Sequence, residues 1–240
     1  MTQQSHQDGD LLIEGGIVVT MDAERRVYSP GYVAIRGGKI VGTGSAVCPY
    51  SVKERLDASD MVVLPGIVNA HNHLDQSVYR GCFDERSSSR DWLLRTARGL
   101  TRERARAAAA LSLLEQVHYG ITATQENHWT HYHLDSSDGV CEALRQSGMR
   151  AVVSRGMNDE EEYTPADFLE RIEDVLDDLD RLEREYDSDH ISITSEPSTI
   201  LRCTPEAVTV NFRPIVVQWF SAKGGHSLKR RWCDSWCEKG

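Results

Sequence analysis

Two histidines separated by one residue form the pattern in this chain that most clearly points to chemistry. His71 and His73 follow an apolar run that begins at Val62. Successive side chains of a strand point to opposite faces, so these two imidazoles are predicted to project the same way. At the end of a buried strand they would supply two of the three protein ligands of a catalytic zinc site. The alternative is a pair of hydrogen-bonded histidines at a strand end.

The segment before these histidines has the pattern of a small β domain. Residues 10–64 hold short runs of β-branched and aromatic residues separated by glycines. Gly37 and Gly38 lie between two such runs, which is typical of a two-residue hairpin turn. We therefore predict a small N-terminal β-sandwich.

From Pro65 onward, strand patterns alternate with helix patterns. Thr101, Thr164 and Thr204 are candidate N-cap residues of helices, and Gly148 is a candidate helix end. Four consecutive β/α units imply a parallel sheet. The predicted fold class is α/β, a partial (β/α)8 TIM-type barrel of about four β/α units preceded by the β-sandwich. The first predicted strand of this barrel ends in the His71–His73 motif. The next three cover residues 121–126, 150–154 and 190–194.

The last thirty residues differ from the rest in charge and periodicity. Residues 210–240 carry six Lys or Arg and two acidic residues, in a chain whose net charge is −10. We predict a disordered N-terminus over 1–9, a sandwich segment over 10–64, a partial barrel over 65–209, and an atypical tail over 210–240. A shifted reading frame near residue 210 would produce such a tail; a divergent, poorly ordered C-terminus is the alternative.

Composition excludes several classes of partner. The net negative charge argues against nucleic acid, whose phosphates require a basic surface. No apolar run approaches the length of a membrane span, and the N-terminus lacks the features of a signal peptide. Six scattered cysteines do not form a disulfide framework, so a cytoplasmic location is expected.

The stretches LIEGGIVVTMDAERRV and VVLPGIVNAHNHLDQSVYRG resemble the amidohydrolase superfamily of metal-dependent hydrolases. The similarity is greatest to the branch holding cytosine and guanine deaminases, S-adenosylhomocysteine deaminase and triazine hydrolases. It continues through EQVHYGITATQENHW and covers about residues 10–208. The resemblance implies a β-sandwich beside a (β/α)8 barrel, with a mononuclear zinc or iron at the C-terminal face.

The resemblance also implies roles for individual residues. In this branch the metal ligands are the two histidines of strand one, one histidine each from strands five and six, and an aspartate from strand eight. Only His71 and His73 match, so incomplete metal binding is expected. Trp92 and His128 match positions that line the substrate pocket, and Arg155, which follows the predicted third strand, could contact a polar group of the substrate. The alternatives are core packing for Trp92 and a surface loop for His128, together with His131 and His133.

The function implied is hydrolysis of a non-peptide C–N bond, by deamination or dechlorination of a purine, pyrimidine or triazine-like ring. The alternative is a truncated, non-catalytic remnant of such an enzyme, or a chain whose missing strands come from a partner. No catalytic proton-transfer residue is assigned, and Asp75 is expected to hydrogen-bond near the ligands or to cap a loop. A homo-oligomer is compatible with the sequence. An open half-barrel is expected to expose apolar surface and to aggregate.

Overall fold

The computed structural model describes residues 8–45, 47–82, 89–129 and 131–210. The chain divides into two compact units, the first ending at Gly66 and the second beginning at Ile67. The predicted disordered N-terminus over 1–9 lies mostly outside the described residues, as does nearly all of the predicted tail over 210–240. The roles predicted for these segments stay predictions.

The described part of the first unit holds seven strands in two sheets. Its described strands are β1 (Asp8–Glu14), β2 (Ile17–Val19), β3 (Val27–Tyr28), β4 (Gly31–Arg36), β5 (Lys39–Ser45), β6 (Ser51–Asp57) and β7 (Val62–Val63). One sheet has the order β5-β4-β1-β6 and the other the order β3-β2-β7. β1 pairs antiparallel with β4 and parallel with β6.

The hairpin turn predicted between β4 and β5 is present. Gly37 and Gly38 have φ angles of 56° and 71°, in the left-handed region that side chains disfavour. Such a pair lets two antiparallel strands reverse over two residues. The sequence patterns missed the two-residue strand β3, and the packing of the two sheets as a sandwich stays a prediction.

The second unit is built around a parallel sheet, as predicted. Its strands run in the order β11-β10-β9-β8, and every adjacent pair is parallel. The helices between them make each neighbouring pair of strands a β/α unit. The strands are β8 (Ile67–Asn72), β9 (Ile121–His128), β10 (Arg150–Arg155) and β11 (Ile191–Ser195), and the described α-helices are α1 (Ser89–Arg98), α2 (Arg102–His118), α3 (Ser136–Ser147), α4 (Ile172–Tyr186) and α5 (Pro205–Val210).

Local signals in the sequence explain where two of these helices begin and end. The Thr101 hydroxyl accepts a hydrogen bond from the Arg104 amide and caps α2. Gly148, with φ of 68°, ends α3 and donates its amide hydrogen to the Leu144 carbonyl. Both boundaries agree with the sequence patterns to within a residue.

The helix patterns were wrong at two points. Thr164 does not cap α4. Residues Ala166–Phe168 form a separate 3-10 turn, and α4 begins only at Ile172. The backbone at Leu169 and Arg171 is extended, so the helix cannot continue between them. The helix patterns also missed α1, which begins at Ser89.

The core of the second unit lies between its sheet and the helices α2, α3 and α4. Aliphatic side chains on β10 and β11 pack against one face of each helix. The fully or nearly fully buried members include Leu113, Val140, Leu144, Val153, Val175, Leu179, Leu182 and Ile193. Among the described residues, no helix has the length and apolar character that crossing a membrane requires.

Strand β8 differs from the other three. The sequence predicts a buried strand, but the Ile67 and Val68 residues are 58% and 56% exposed. β8 lies at the edge of the sheet, so within the described residues only β9 pairs with it. Its pairing with β9 also shifts register twice, between Ile67 and Val68 and between Asn69 and Asn72. The prediction of a buried strand is therefore wrong within the described residues, where one side of β8 has no neighbouring strand.

Candidate metal centre

His71 and His73 lie at the carboxyl end of β8, where the sequence places them. Their ring centroids are 5.1 Å apart and the rings are nearly perpendicular. His71 is exposed and His73 is half-buried. The two imidazoles therefore occupy one region, as expected for side chains two residues apart.

His73 has the hydrogen bonding of a metal ligand. Its Nδ1 lies 2.6 Å from the Asn127 carbonyl oxygen. A carbonyl only accepts, so Nδ1 donates its proton and the lone pair of Nε2 remains for a ligand. Burial lowers the pKa of His73, with the neighbouring His71 acting in the same direction. The neutral ring and its fixed orientation fit a divalent metal.

Beneath the end of β8 lie two buried acids that the sequence patterns did not single out as a pair. Glu126, on β9, accepts a 2.6 Å hydrogen bond from the Leu74 amide through Oε2. Burial raises the pKa of Glu126 to about 8 and that of Asp75 to about 7. Asp75 is therefore a buried acid close to Glu126 and His128, and its Oδ1 has no hydrogen-bond partner among the described residues. A role as a loop cap stays a prediction.

His128, the last residue of β9, completes this group. Its Nε2 lies 2.9 Å from the Ser136 hydroxyl oxygen, and its Nδ1 lies 3.4 Å from Glu126 Oε1. Burial lowers the pKa of this histidine. The surface-loop alternative was wrong for His128 and His131, since both are buried. His133 is half-buried, and its Nε2 lies 3.0 Å from the Arg98 carbonyl oxygen. A role of His128 in binding substrate stays a prediction.

The spacing of Glu126 and His128 is the signal that would have found this group. The two residues are separated by one position on a strand, as His71 and His73 are on the neighbouring strand. In a parallel sheet, such pairs at the same ends of adjacent strands meet. Asp75 carries no comparable signal, because its place depends on the 3-10 turn at Leu74–Tyr79.

Trp92 lies on α1 and is half-buried. Its indole Nε1–H donates to the Cys82 carbonyl at 3.2 Å, and its ring meets Tyr79 edge-on at 6.3 Å. These contacts attach α1 to the segment that follows β8. A role as a wall of the substrate pocket stays a prediction.

Arg155 ends β10 and is 1% exposed. Its guanidinium donates to Asp178 at 3.0 Å, to Glu170 at 2.7 Å and to the Gly156 carbonyl at 2.7 Å. Asp178 lies on the highly charged helix α4, and this carboxylate is drawn inward by the arginine, so its side chain is only 10% exposed. These protein groups occupy the guanidinium, and its contact with a substrate stays a prediction.

Glu196, just after β11, provides a pH-sensitive group in the same region. It accepts a hydrogen bond from Asn127 Nδ2, and burial raises its pKa to about 7. An unfolded glutamate has a pKa of about 4.3. Between these values the folded chain holds a proton that the unfolded chain has lost, so stability falls as pH rises from about 4 to 7.

We therefore expect the Glu196→Gln variant to lose less stability between pH 5 and pH 8 than the parent chain. Glutamine keeps the shape and remains neutral, which removes this group's part of the pH dependence. Thermal unfolding of apoprotein at both pH values measures the effect. Glu103→Gln, at an exposed position on α2, is the control and should keep the parent's pH dependence. Equal falls in Tm for parent and Glu196→Gln would contradict the assignment.

Comparison with known sequences places the chain in a family. The sequence model of the amidohydrolase family matches residues 62–210. The chain belongs to this family of hydrolases, and the resemblance stated from the sequence is confirmed.

Relatives with assigned activities are similar over most of the chain. A 5-methylthioadenosine/S-adenosylhomocysteine deaminase of Syntrophobacter fumaroxidans is 30% identical over 83% of this chain and 45% of its own length. An atrazine chlorohydrolase from Arthrobacter aurescens, solved in complex with zinc, is 26% identical with a TM-score of 0.72, over 83% of this chain and 50% of its own. An adenosine deaminase from Xanthomonas campestris with bound zinc shares the fold at 24% identity and a TM-score of 0.66, over 80% of this chain and 43% of its own. The chain thus spans about half the length of the relatives that it matches.

Proposed function

We propose that this chain carries the first two metal donors of an amidohydrolase that hydrolyses a non-peptide C–N bond of a purine, pyrimidine or triazine-like ring. The observation that carries the proposal is the hydrogen bond from His73 Nδ1–H to the Asn127 carbonyl. It leaves Nε2 free beside the His71 ring and holds the imidazole in one orientation. Family membership supports the reaction class, and the zinc in two of the similar structures supports the metal.

The proposed architecture is a partial (β/α)8 barrel of about four units with the small β-sandwich before it. The consecutive parallel order from β8 to β11 supports the barrel, as do the TM-scores against barrel enzymes of this family. Because β8 and β9 end on the same side, the carboxyl end of the sheet gathers His73, Glu126 and His128. That is the end at which barrel enzymes bind their substrates.

Each site residue has a definite part in this proposal. His71 and His73 hold a zinc or iron ion, and the Asn127 carbonyl positions His73. When bound, such a metal supplies hydroxide at neutral pH by lowering the pKa of water. Trp92, His128 and Arg155 are proposed to shape or support the pocket for a small heterocycle. We also propose a cytoplasmic location and leave the homo-oligomer as a possible assembly.

The second candidate is a non-catalytic member of the family. It is favoured by one observation: the described residues supply two histidine donors at β8, while a catalytic zinc site uses three protein ligands and an open position. The two candidates differ in what they predict for bound metal and for turnover.

Zinc loading of the 240-residue chain tests the proposal. We expect bound zinc after gel filtration, measured by elemental analysis. The His73→Ala variant should bind zinc at least about tenfold more weakly. Loss of a group that merely orients a ligand already weakens metal binding by that factor, and loss of the ligand itself should weaken it no less. His118→Ala, which removes an exposed histidine on α2, is the matched control and should bind as the parent does.

Ammonia release from guanine, cytosine and adenosine then separates the two candidates. Turnover that is lost in His73→Ala and kept in His118→Ala supports the enzyme. Zinc binding without turnover of any ring supports the non-catalytic relative. Equal zinc binding by the parent and His73→Ala would remove His73 from the site and overturn the proposal.

A further inference from the structure

Three buried side-chain atoms near the end of β9 have no hydrogen-bond partner among the described residues. They are Asp75 Oδ1, Glu126 Oε1 and His128 Nδ1. Asp75, Glu126 and His128 can each offer one ligand atom such that all three atoms lie within 4.8 Å of one another. Neither His71 nor His73 belongs to this group.

Leaving such atoms unpaired is unfavourable. A buried polar atom without a partner costs about 1–3 kcal/mol, and a buried charge costs more. No Lys or Arg side chain lies within ion-pair distance of Asp75 or Glu126 in the described ranges, in contrast to Glu170 and Asp178, which share Arg155. The two carboxyls therefore need either protons or a cation.

The geometry points to a second cation site, distinct from the His71–His73 pair, in which Asp75, Glu126 and His128 bind a zinc-like divalent ion. The two carboxylates neutralise the ion's charge, which removes the main obstacle to burying all three groups. Carboxylate oxygens and an imidazole nitrogen are ligands that zinc accepts.

The separation of the ligand atoms fits this ion. Zinc ligands at about 2.0–2.1 Å in a tetrahedral arrangement lie about 3.3 Å apart. His128 Nδ1 and Glu126 Oε1 are 3.4 Å apart and do not form a hydrogen bond with each other. One carboxylate oxygen of Asp75 lies within 4.8 Å of a ligand atom of each of the other two residues.

Neighbouring groups hold two of the three ligands in place. The Leu74 amide donates to Glu126 Oε2, which turns Oε1 toward the group. With its proton on Nε2, the His128 ring donates to the Ser136 hydroxyl and directs the Nδ1 lone pair at the same point. Hydrogen bonds of this kind orient ligands in established metal sites.

The test uses the full 240-residue chain in a His71→Ala/His73→Ala background, which removes the first pair of donors. Purified chains are stripped with chelator, loaded with ZnCl2, freed of excess zinc, and analysed for bound metal and for the shift in Tm that zinc causes. We expect about one zinc per chain and a higher Tm with zinc than without it. Adding Glu126→Gln should reduce zinc affinity at least about tenfold and abolish the Tm shift.

Two controls separate loss of the site from loss of the fold. Glu103→Gln, at an exposed position of α2, should keep both the zinc and the shift. Apo Glu126→Gln is expected to unfold at a Tm no lower than its parent, because glutamine replaces a buried acid without a counter-charge. Asp75→Asn provides a second variant and should also lose zinc.

The outcomes decide between a cation and protons. Zinc that persists without His71 and His73 and is lost with Glu126→Gln supports the second site, whether or not the chain turns over any substrate. A His71→Ala/His73→Ala chain that binds no zinc, or Glu126→Gln and Asp75→Asn chains that bind as much as their parent, overturns it and indicates that protons alone occupy the carboxyls. The two proposals fail independently, because the number of zinc ions per chain separates them. With both sites present, the parent should hold about two zinc ions and His73→Ala about one; without the second site, they should hold about one and none.

Discussion

The Arg155→Met variant is expected to lose about 3–5 kcal/mol of unfolding free energy. Removing one partner from a buried ion pair leaves an uncompensated charge, which destabilises by this amount. Here Glu170 would be left without an arginine partner, whereas Asp178 keeps its ion pair with Arg181 at 2.9 Å. The side chains of Glu170 and Asp178 are only 11% and 10% exposed, and both bond the Arg155 guanidinium at 3.0 Å or less. Urea unfolding followed by circular dichroism measures the loss.

Arg150→Met is the matched control for Arg155→Met. Arg150 begins the same strand but is exposed, so its replacement should change stability by less than about 0.5 kcal/mol. Adding Glu170→Gln to Arg155→Met should restore part of the loss, because it removes the charge that has lost its arginine partner. A loss no greater for Arg155→Met than for Arg150→Met would show that Glu170 and Asp178 do not depend on this arginine.

The Leu113→Ala variant is expected to lose about 2–5 kcal/mol. Leu113 lies on the buried face of α2 and is 2% exposed, and truncation of such a leucine removes buried apolar surface and leaves a cavity. The same urea titration gives the value. Because α2 packs on α3 within the core of the second unit, the cavity cannot close without moving several buried side chains.

The neighbouring leucine provides the control for this prediction. Leu114 is 68% exposed on the opposite side of the same helix, and alanine favours helix slightly more than leucine does. Leu114→Ala should therefore leave the unfolding free energy within about 0.5 kcal/mol of the parent. Similar losses for the two variants would mean that the faces of α2 are not assigned correctly.

Features set by local sequence were predictable in this chain. The cap at Thr101, the left-handed Gly148 and the glycine pair at residues 37 and 38 all lie where the sequence patterns put them. Each depends on one or two residues and their own backbone angles. The parallel order of the sheet also followed, because strand and helix patterns alternate along residues 65–209.

Features set by tertiary neighbours were not predictable from these patterns. The break before Ile172 opposes a helix start that Thr164 and Pro165 favour, and Phe168 is instead buried from a separate turn beside Leu94 and Ala97. The exposure of β8 depends on which strands lie beside it, which its apolar sequence does not reveal.

The candidate site shows the same division. The pattern of His71 and His73 is local, so their proximity was predictable. The inward turn of Asp178 and the burial of His131 required Arg155 and other partners far away in the sequence. The pair of buried acids depends on a hydrogen bond between residues 52 positions apart.

The one-sided pairing of β8 has a consequence for the histidines at its end. The ladder to β9 skips from Asn69 to Asn72, so the backbone segment that carries His71 has no register partner in it. A metal held by His71 and His73 would immobilise that segment, and part of its intrinsic affinity would offset the lost backbone entropy. The hydrogen bond from His73 to the Asn127 carbonyl fixes the orientation of His73 but not of His71, so only one of the two ligands is pre-organised. A further strand paired with the free edge of β8 would hold this backbone in place. It would tighten metal binding without contacting the metal.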